Sequence, residues 1–395
     1  MTFVGNSLMT CKSRPTKIKS LPQSVAIIIT YMLCARAFSR QRTIPMLVAS
    51  LSLSLSSASL PAMAKPAPLA QPTEPQVQSH TLENSELSDD FAIKDSLETV
   101  TIEGKVIKVS PKAVPPTLRD VAYGSHARHK LDFWQAESAE PTPLVFYIHG
   151  GGWRSGSKES NSGPSLTLLN QGVSYVSINY RLARDENTLP CSLHDAARAL
   201  QFVRSKAAEW NIDPEQIVAS GGSAGGCSSL WLAYHDDLAD PDSTDPIARL
   251  STRVLGVAAI KAQSTINPWV VDKRLGPSGS GHAMIWETVG ADSLKDLFEN
   301  WDEYEAISTE ASPITHLSAD DPPVLIVYEA DTPAPPEKDG IHHVEFGRIL
   351  KEQCAPLGLN CTIAFAGKET RQAVLDTFIL ERFENAQPIH SKSCD

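Results

Sequence analysis

One stretch restricts the fold of this chain more than any other: Val218-Ala219-Ser220-Gly221-Gly222-Ser223-Ala224-Gly225-Gly226. Ile217-Val218-Ala219 reads as a short buried strand, and Ser228-Ser229-Leu230-Trp231-Leu232-Ala233 as a helix. Gly221-x-Ser223-x-Gly225 joins them through a turn tight enough to lift the serine out of the backbone at strained φ/ψ. A side chain at 221 or 225 would strike neighbouring backbone, so glycine is needed at both. Alone the pattern is weak, because glycine and serine cluster in ordinary loops. It gains weight from a second segment, the apolar strand Pro143–Ile148 running into His149-Gly150-Gly151-Gly152-Trp153. Glycines at 150–152 allow a close backbone approach to whatever the serine faces.

In these two motifs the chain resembles the α/β-hydrolase superfamily, and within it the hormone-sensitive-lipase-like and bacterial carboxylesterase or feruloyl-esterase-like branches. The resemblance runs from about Pro116 to Phe383 and is strongest at 149–153 and 221–226. It implies a mostly parallel central sheet with helices on both faces and a cap insertion over the site. The residues agree with that architecture. Arg119–Tyr123 and Lys130–Trp134 read as antiparallel first strands, and Tyr123-Gly124 with Leu131-Asp132 is similar to the way these esterases begin. Leu144–Ile148, Ser174–Tyr180, Val254–Ile260, Pro322–Tyr328 and Cys361–Phe365 are apolar runs of the kind buried on both faces of a parallel sheet. Helical spacing over Leu193–Glu209 and Arg371–Phe383 supplies covering helices. Residues from about 262 to 312 break the pattern and form the candidate cap. Leu97–Ser110 alternates apolar and polar residues and reads as an added edge strand.

The resemblance implies acyl transfer to Ser223, which needs a base beside the serine and donors for the developing oxyanion. The donors it implies are the backbone N–H groups of Gly151, Gly152 and Ala224. His149 holds the loop and Trp153 packs beneath it. The triad acid follows the strand ending at Tyr328, where the family has Gly-x-x-Asp; here Tyr328-Glu329-Ala330-Asp331 puts Asp331 in that place, with Glu329 as its rival. The base departs from the family. No histidine stands between His343 and His390, so the segment after Cys361–Phe365 carries none. His342 or His343, at the start of the helix after Asp331, can supply an imidazole. So can His390 folding back, or a partner. With none of these, the chain is a catalytically impaired hydrolase fold that binds a ligand or partner through the same pocket.

Charge and composition exclude other classes. The first 64 residues hold seven Lys or Arg and no Asp or Glu, and their apolar runs Val25–Ala35 and Ile44–Leu60 are short for a membrane span. Ala62-Met63-Ala64 ends the second run as a cleavage site does, so 1–64 reads as a signal peptide or N-terminal extension cut after Ala64 on export; with Met46 as the true start, Met1–Pro45 would be a start-site artefact. Losing seven positive charges from a net of −11 leaves −18, a surface that repels nucleic acid and anionic headgroups. Residues 65–96, rich in Pro, Ser, Gln and Glu, read as a disordered linker; 97–388 is the hydrolase domain and 389–395 a tail. No Walker loop or Gly-x-Gly-x-x-Gly appears, and the cysteines lack Cys-x-x-Cys spacing, so no cofactor and no metal is expected. His235-Asp236-Asp237 reads as a solvated helix end. Cys354 and Cys361 flank a loop and are candidates for pairing. The expected partner is a small-molecule ester.

Overall fold

A computed structural model describes residues 98–102, 105–109, 114–160, 163–184 and 186–386. The proposed signal peptide, the linker, the tail and His390 lie outside the described residues. β1 (Glu98–Ile102) and β2 (Lys105–Val109) pair antiparallel with each other, in a sheet of their own. The alternation in this stretch was therefore that of a hairpin and not of an added edge strand.

The main sheet has eight strands: β3 (Leu118–Ala122), β4 (Lys130–Trp134), β5 (Thr142–Ile148), β6 (Ser174–Ile178), β7 (Ile212–Gly222), β8 (Gly256–Ile260), β9 (Val324–Tyr328) and β10 (Cys361–Phe365). Their order across the sheet is β10-β9-β8-β7-β5-β6-β4-β3. β3 with β4 and β4 with β6 run antiparallel; every other pair is parallel. The helices are α1 (Leu166–Asn170), α2 (Cys191–Ser205), α3 (Ala224–Tyr234), α4 (Pro268–Leu275), α5 (Pro277–Ser280), α6 (Ala283–Trp286), α7 (Leu294–Glu299), α8 (Trp301–Glu310), α9 (Glu345–Cys354) and α10 (Lys368–Glu384).

The continuous apolar runs follow from burial on both faces. In β5, Leu144, Phe146 and Ile148 enter one core while Val145 enters the other. Val324 and Ile326 against Leu325 and Val327 repeat this split in β9. The first core takes α2 and α3 through Leu193, Leu200, Leu230 and Trp231. The second takes α1 through Leu168 and α10 through Leu375 and Ile379. Neither face of the central strands meets water, so neither needs polar residues. Residues 262–312, between β8 and β9, fold into α4 to α8. Cys354 and Cys361 are buried free thiols lying against each other, not a disulfide. Among the described residues no helix is long and apolar enough to cross a membrane.

Candidate functional site

β7 and α3 meet at Ser223, at the C-terminal edge of the parallel strands. Gly221 pairs with Ile148 of β5, and Gly222 with Ile260 of β8. Ser223 has φ 52° and ψ −124°, a conformation a side chain rarely adopts. It is fixed there by its N–H donating to the Ile260 carbonyl (2.8 Å) and by Cys227 N–H donating to its own carbonyl (2.9 Å). A Cβ on Gly225 would stand 2.0 Å from the Ile148 carbonyl oxygen; one on Gly221 would stand 2.5 Å from the Gly225 carbonyl carbon. Backbone cannot yield to such contacts without moving the strand. Gly225→Ala should therefore lose about 3 kcal/mol or more of stability, read as a lowered denaturant midpoint at unchanged slope.

The loop after β5 comes up beside the serine. A Cβ on Gly150 would lie 2.7 Å from the Gly222 carbonyl oxygen and 3.4 Å from Ser223 Cβ. The loop turns at Gly151 and Gly152 (φ 102° and 59°), where the Gly151 carbonyl accepts the N–H groups of Arg154 and Ser155. The N–H groups of Gly151, Gly152 and Ala224 find no acceptor among the described residues. For Ala224 this is the ordinary state of a first helical residue. His149 is buried and holds the loop: Nδ1 donates to the Gly150 carbonyl (2.7 Å), so Nε2 is left to accept from the Arg128 guanidinium (3.3 Å). Burial pushes this imidazole down to about 4, in keeping with a neutral ring. Trp153, fully buried, donates to Ser228 Oγ of α3 (2.9 Å), tying loop and helix together.

A charge cluster anchors the far end of that loop. The Lys158 ammonium, with no exposed side-chain surface, pairs with Asp132 (3.0 Å), Asp120 (2.9 Å) and Glu159. Burial alone pushes the amine down, but the three carboxylates hold it above its usual range. Its backbone N–H donates to Asn179 Oδ1 (2.7 Å). Lys158→Met removes the buried cation and leaves the Asp132 carboxylate facing the mostly exposed Arg119 guanidinium at 4.0 Å. We expect a loss of about 3–5 kcal/mol, measurable by chemical denaturation at neutral pH.

The other side of Ser223 is occupied by a short 3-10 turn, Gly340–His342. His342 Nε2 lies 3.0 Å from Ser223 Oγ, and its Nδ1 lies 2.7 Å from Asp339 Oδ1. Asp339 has left-handed backbone (φ 51°, ψ 39°), which starts the turn and brings its carboxylate back over the ring three residues on. Burial pushes this carboxyl up, but His342, with Lys261 and His282, holds it below its usual range, so it is ionised at neutral pH. The turn is held from the start of the 262–312 segment: Gln263 Nε2 donates to the Ile341 carbonyl (2.6 Å). Gly340 fits against α5, where a Cβ would meet Gly279 N at 2.5 Å.

Of the histidine pair, then, His342 reaches the serine and His343 does not. His343 Nε2 bonds Thr332 Oγ1 (2.8 Å) and its Nδ1 accepts the Glu345 N–H (3.1 Å), so the ring caps α9. Asp331, expected as the acid, is directed away: its carboxylate pairs with Arg348 and is 62% exposed. Glu329 pairs with Lys261 (2.8 Å). The acid facing the imidazole is Asp339, which reading by family position missed. Its signal was present as Asp339-Gly340, a turn dipeptide three residues before a histidine. A cleft of about 370 Å³ opens beside this turn, lined by Lys261, Glu329, Thr332, Lys338, Asp339 and His342 among others; Ser223 does not line it. The glycine loop lies beside the serine, away from this cleft, with a Gly150 Cβ 3.4 Å from Ser223 Cβ. On that side Met284 of α6 lies within 3.3 Å of where a Gly152 Cβ would stand.

Comparison with known proteins agrees with this architecture. The probable carboxylic ester hydrolase LipM of Mycobacterium tuberculosis is 31% identical over 215 residues, which make up 53% of this chain and 46% of that protein. The carboxylesterase NlhH of the same organism is 30% identical over 148 residues, 36% of this chain and 46% of that one. The chain thus spans about half the length of the curated relatives it matches. A carbohydrate esterase from gut microbiota, in truncated form, superposes with a TM-score of 0.52 at 21% identity, covering 69% of this chain and 98% of that one. An acetyl ester-xyloside bifunctional hydrolase from Caldicellulosiruptor lactoaceticus gives 0.53 at 18%, covering 68% and 97%. At these identities the likeness is one of fold. A family model described as BD-FAE matches residues 131–340, from β4 to the residue two before His342. Because that match covers more than half of the sequence, the chain belongs to the BD-FAE family of feruloyl-esterase-like α/β-hydrolases.

Proposed function

We propose that the protein hydrolyses carboxylic esters of small molecules through an acyl intermediate on Ser223, with His342 as base and Asp339 as the carboxylate that orients it. The observation that carries this reading is the relay Ser223 Oγ to His342 Nε2 (3.0 Å) and His342 Nδ1 to Asp339 Oδ1 (2.7 Å). In the first step His342 Nε2 takes the Ser223 proton as Oγ attacks the ester carbonyl carbon. The Asp339 carboxylate holds the proton on Nδ1, which leaves the Nε2 lone pair toward the serine. Negative charge on the former carbonyl oxygen meets the spare N–H groups of Gly151, Gly152 and Ala224. The imidazolium then returns its proton to the departing alcohol. Water, deprotonated by the same ring, releases the acid.

Names of relatives such as carboxylesterase and carboxylic ester hydrolase support the substrate class. The rival reading, an impaired fold that only binds, rested on the lack of an imidazole after β10; His342 supplies one from the turn after β9. The test is a fluorophosphonate probe. Intact-mass analysis should show one adduct, mapped to Ser223 and missing in Ser223→Ala. A wild-type protein still unlabelled after long incubation would overturn the proposal. Export rests on the composition of residues 1–64, and N-terminal sequencing of protein recovered outside the cytoplasm should begin after Ala64.

A further inference from the structure

The helix that begins at Ser223 ends at a second cluster. His235 follows Tyr234, the last residue of α3. Its Nε2 lies 3.3 Å from Glu310 Oε1, at the end of α8, and the His316 ring lies beside it, the two centroids 4.6 Å apart. One nitrogen of each ring and a carboxylate oxygen of Glu310 all lie within 4.8 Å of one another. Each ring spends its other capacity on a backbone carbonyl: His235 Nδ1 donates to Asp236 O (2.9 Å) and His316 Nε2 to Glu310 O (2.8 Å). A carbonyl can only accept, so His235 Nδ1 and His316 Nε2 carry protons, and in the neutral rings, the form a cation binds, the lone pairs stand on His235 Nε2 and His316 Nδ1. Ligating histidines are held in this way by outer hydrogen bonds. Trp231, fully buried, forms the floor. Its ring contacts both imidazoles, and its Nε1 donates to the Glu310 carbonyl (2.8 Å), so three separate segments are set in one geometry.

From this arrangement we infer that His235, Glu310 and His316 bind a divalent cation of the zinc type, fastening the end of α8 to the end of the nucleophile helix. Two ligands about 2.0–2.1 Å from a tetrahedral zinc stand roughly 3.3 Å apart, the separation of His235 Nε2 from Glu310 Oε1. Two imidazoles and one carboxylate suit zinc among the divalent metals, with water as the fourth ligand. A cation at this place also complements the negative end of the α3 dipole. Asp236 and Asp237 are not ligands: Asp237 is taken up by the N–H groups of Ala239 and Thr252. The site lies a full α3 length from Ser223, roughly 17 Å at 1.5 Å per residue, so it stands apart from ester chemistry.

The experiment is titration of EDTA-treated full-length protein with zinc chloride alone, by calorimetry and thermal melting, for wild type and for His235→Ala, Glu310→Gln and His316→Ala. Wild type should bind one equivalent, and zinc at about a hundred times its Kd should raise Tm by about 5 °C. Each variant should lose about a hundredfold or more in affinity. Cobalt added to wild type should give the visible absorption of a tetrahedral site, a readout independent of how the variants fold. No heat and no Tm shift in wild type would overturn the inference, as would binding that persists unchanged in all three variants.

Discussion

His342→Ala should lower kcat for a short-chain p-nitrophenyl ester by about 10⁵–10⁶-fold while leaving KM within a few-fold. Ser223→Ala should fall to the same floor, and the double variant no further, because serine and base act as one unit. The residue left over water would come from the oxyanion donors and binding. The geometry makes the result specific to one of two adjacent histidines. His342 Nε2 is within hydrogen-bond reach of Ser223 Oγ, whereas both His343 nitrogens are engaged, by Thr332 and by the Glu345 N–H. His343→Gln should therefore keep most of the activity and lose stability instead, through a poorer start to α9. Equal rate losses at 342 and 343 would mean that the turn is held differently during catalysis.

The parts of the site that were legible in the sequence are those made locally. Gly221-x-Ser223-x-Gly225 states its own geometry, since the contacts that demand glycine lie across one turn and onto the Ile148 carbonyl. The His149–Trp153 loop is equally self-contained, and the apolar runs of β5 and β9 follow from burial on two faces. The proposed base and acid were harder because they depend on a turn that nothing in periodicity describes. Family position pointed to Asp331, one strand-end away, but Arg348 on α9 takes that carboxylate, and the chain runs on to a left-handed residue before it turns back. The proposed relay takes both Asp339 and His342 from one turn, so it calls for no histidine after β10. The His235, Glu310 and His316 cluster was illegible for a related reason: its members come from three segments, and the carboxylate 3.3 Å from His235 Nε2 is that of Glu310, far from it in sequence.

Asp339→Asn should reduce kcat by about 10²–10³-fold, with Asp331→Asn within a few-fold of wild type. A buried triad carboxylate is worth about 10⁴-fold when replaced by its amide. Asp339 is less protected, with its side chain 60% exposed, so water screens part of the charge it offers to the imidazolium. What remains is orientation: the carboxylate holds the proton on Nδ1 and so selects the tautomer that leaves the Nε2 lone pair facing the serine. Asp331 is as exposed, yet its partner is a guanidinium, and an exposed pair of that kind contributes no more than about 1 kcal/mol to stability. Measuring both variants on the same ester separates contact from family position as the guide to the acid. A large loss at 331 with little at 339 would reverse the assignment. A large loss at both would indicate that the loop from 329 to 339 closes over the substrate as a unit.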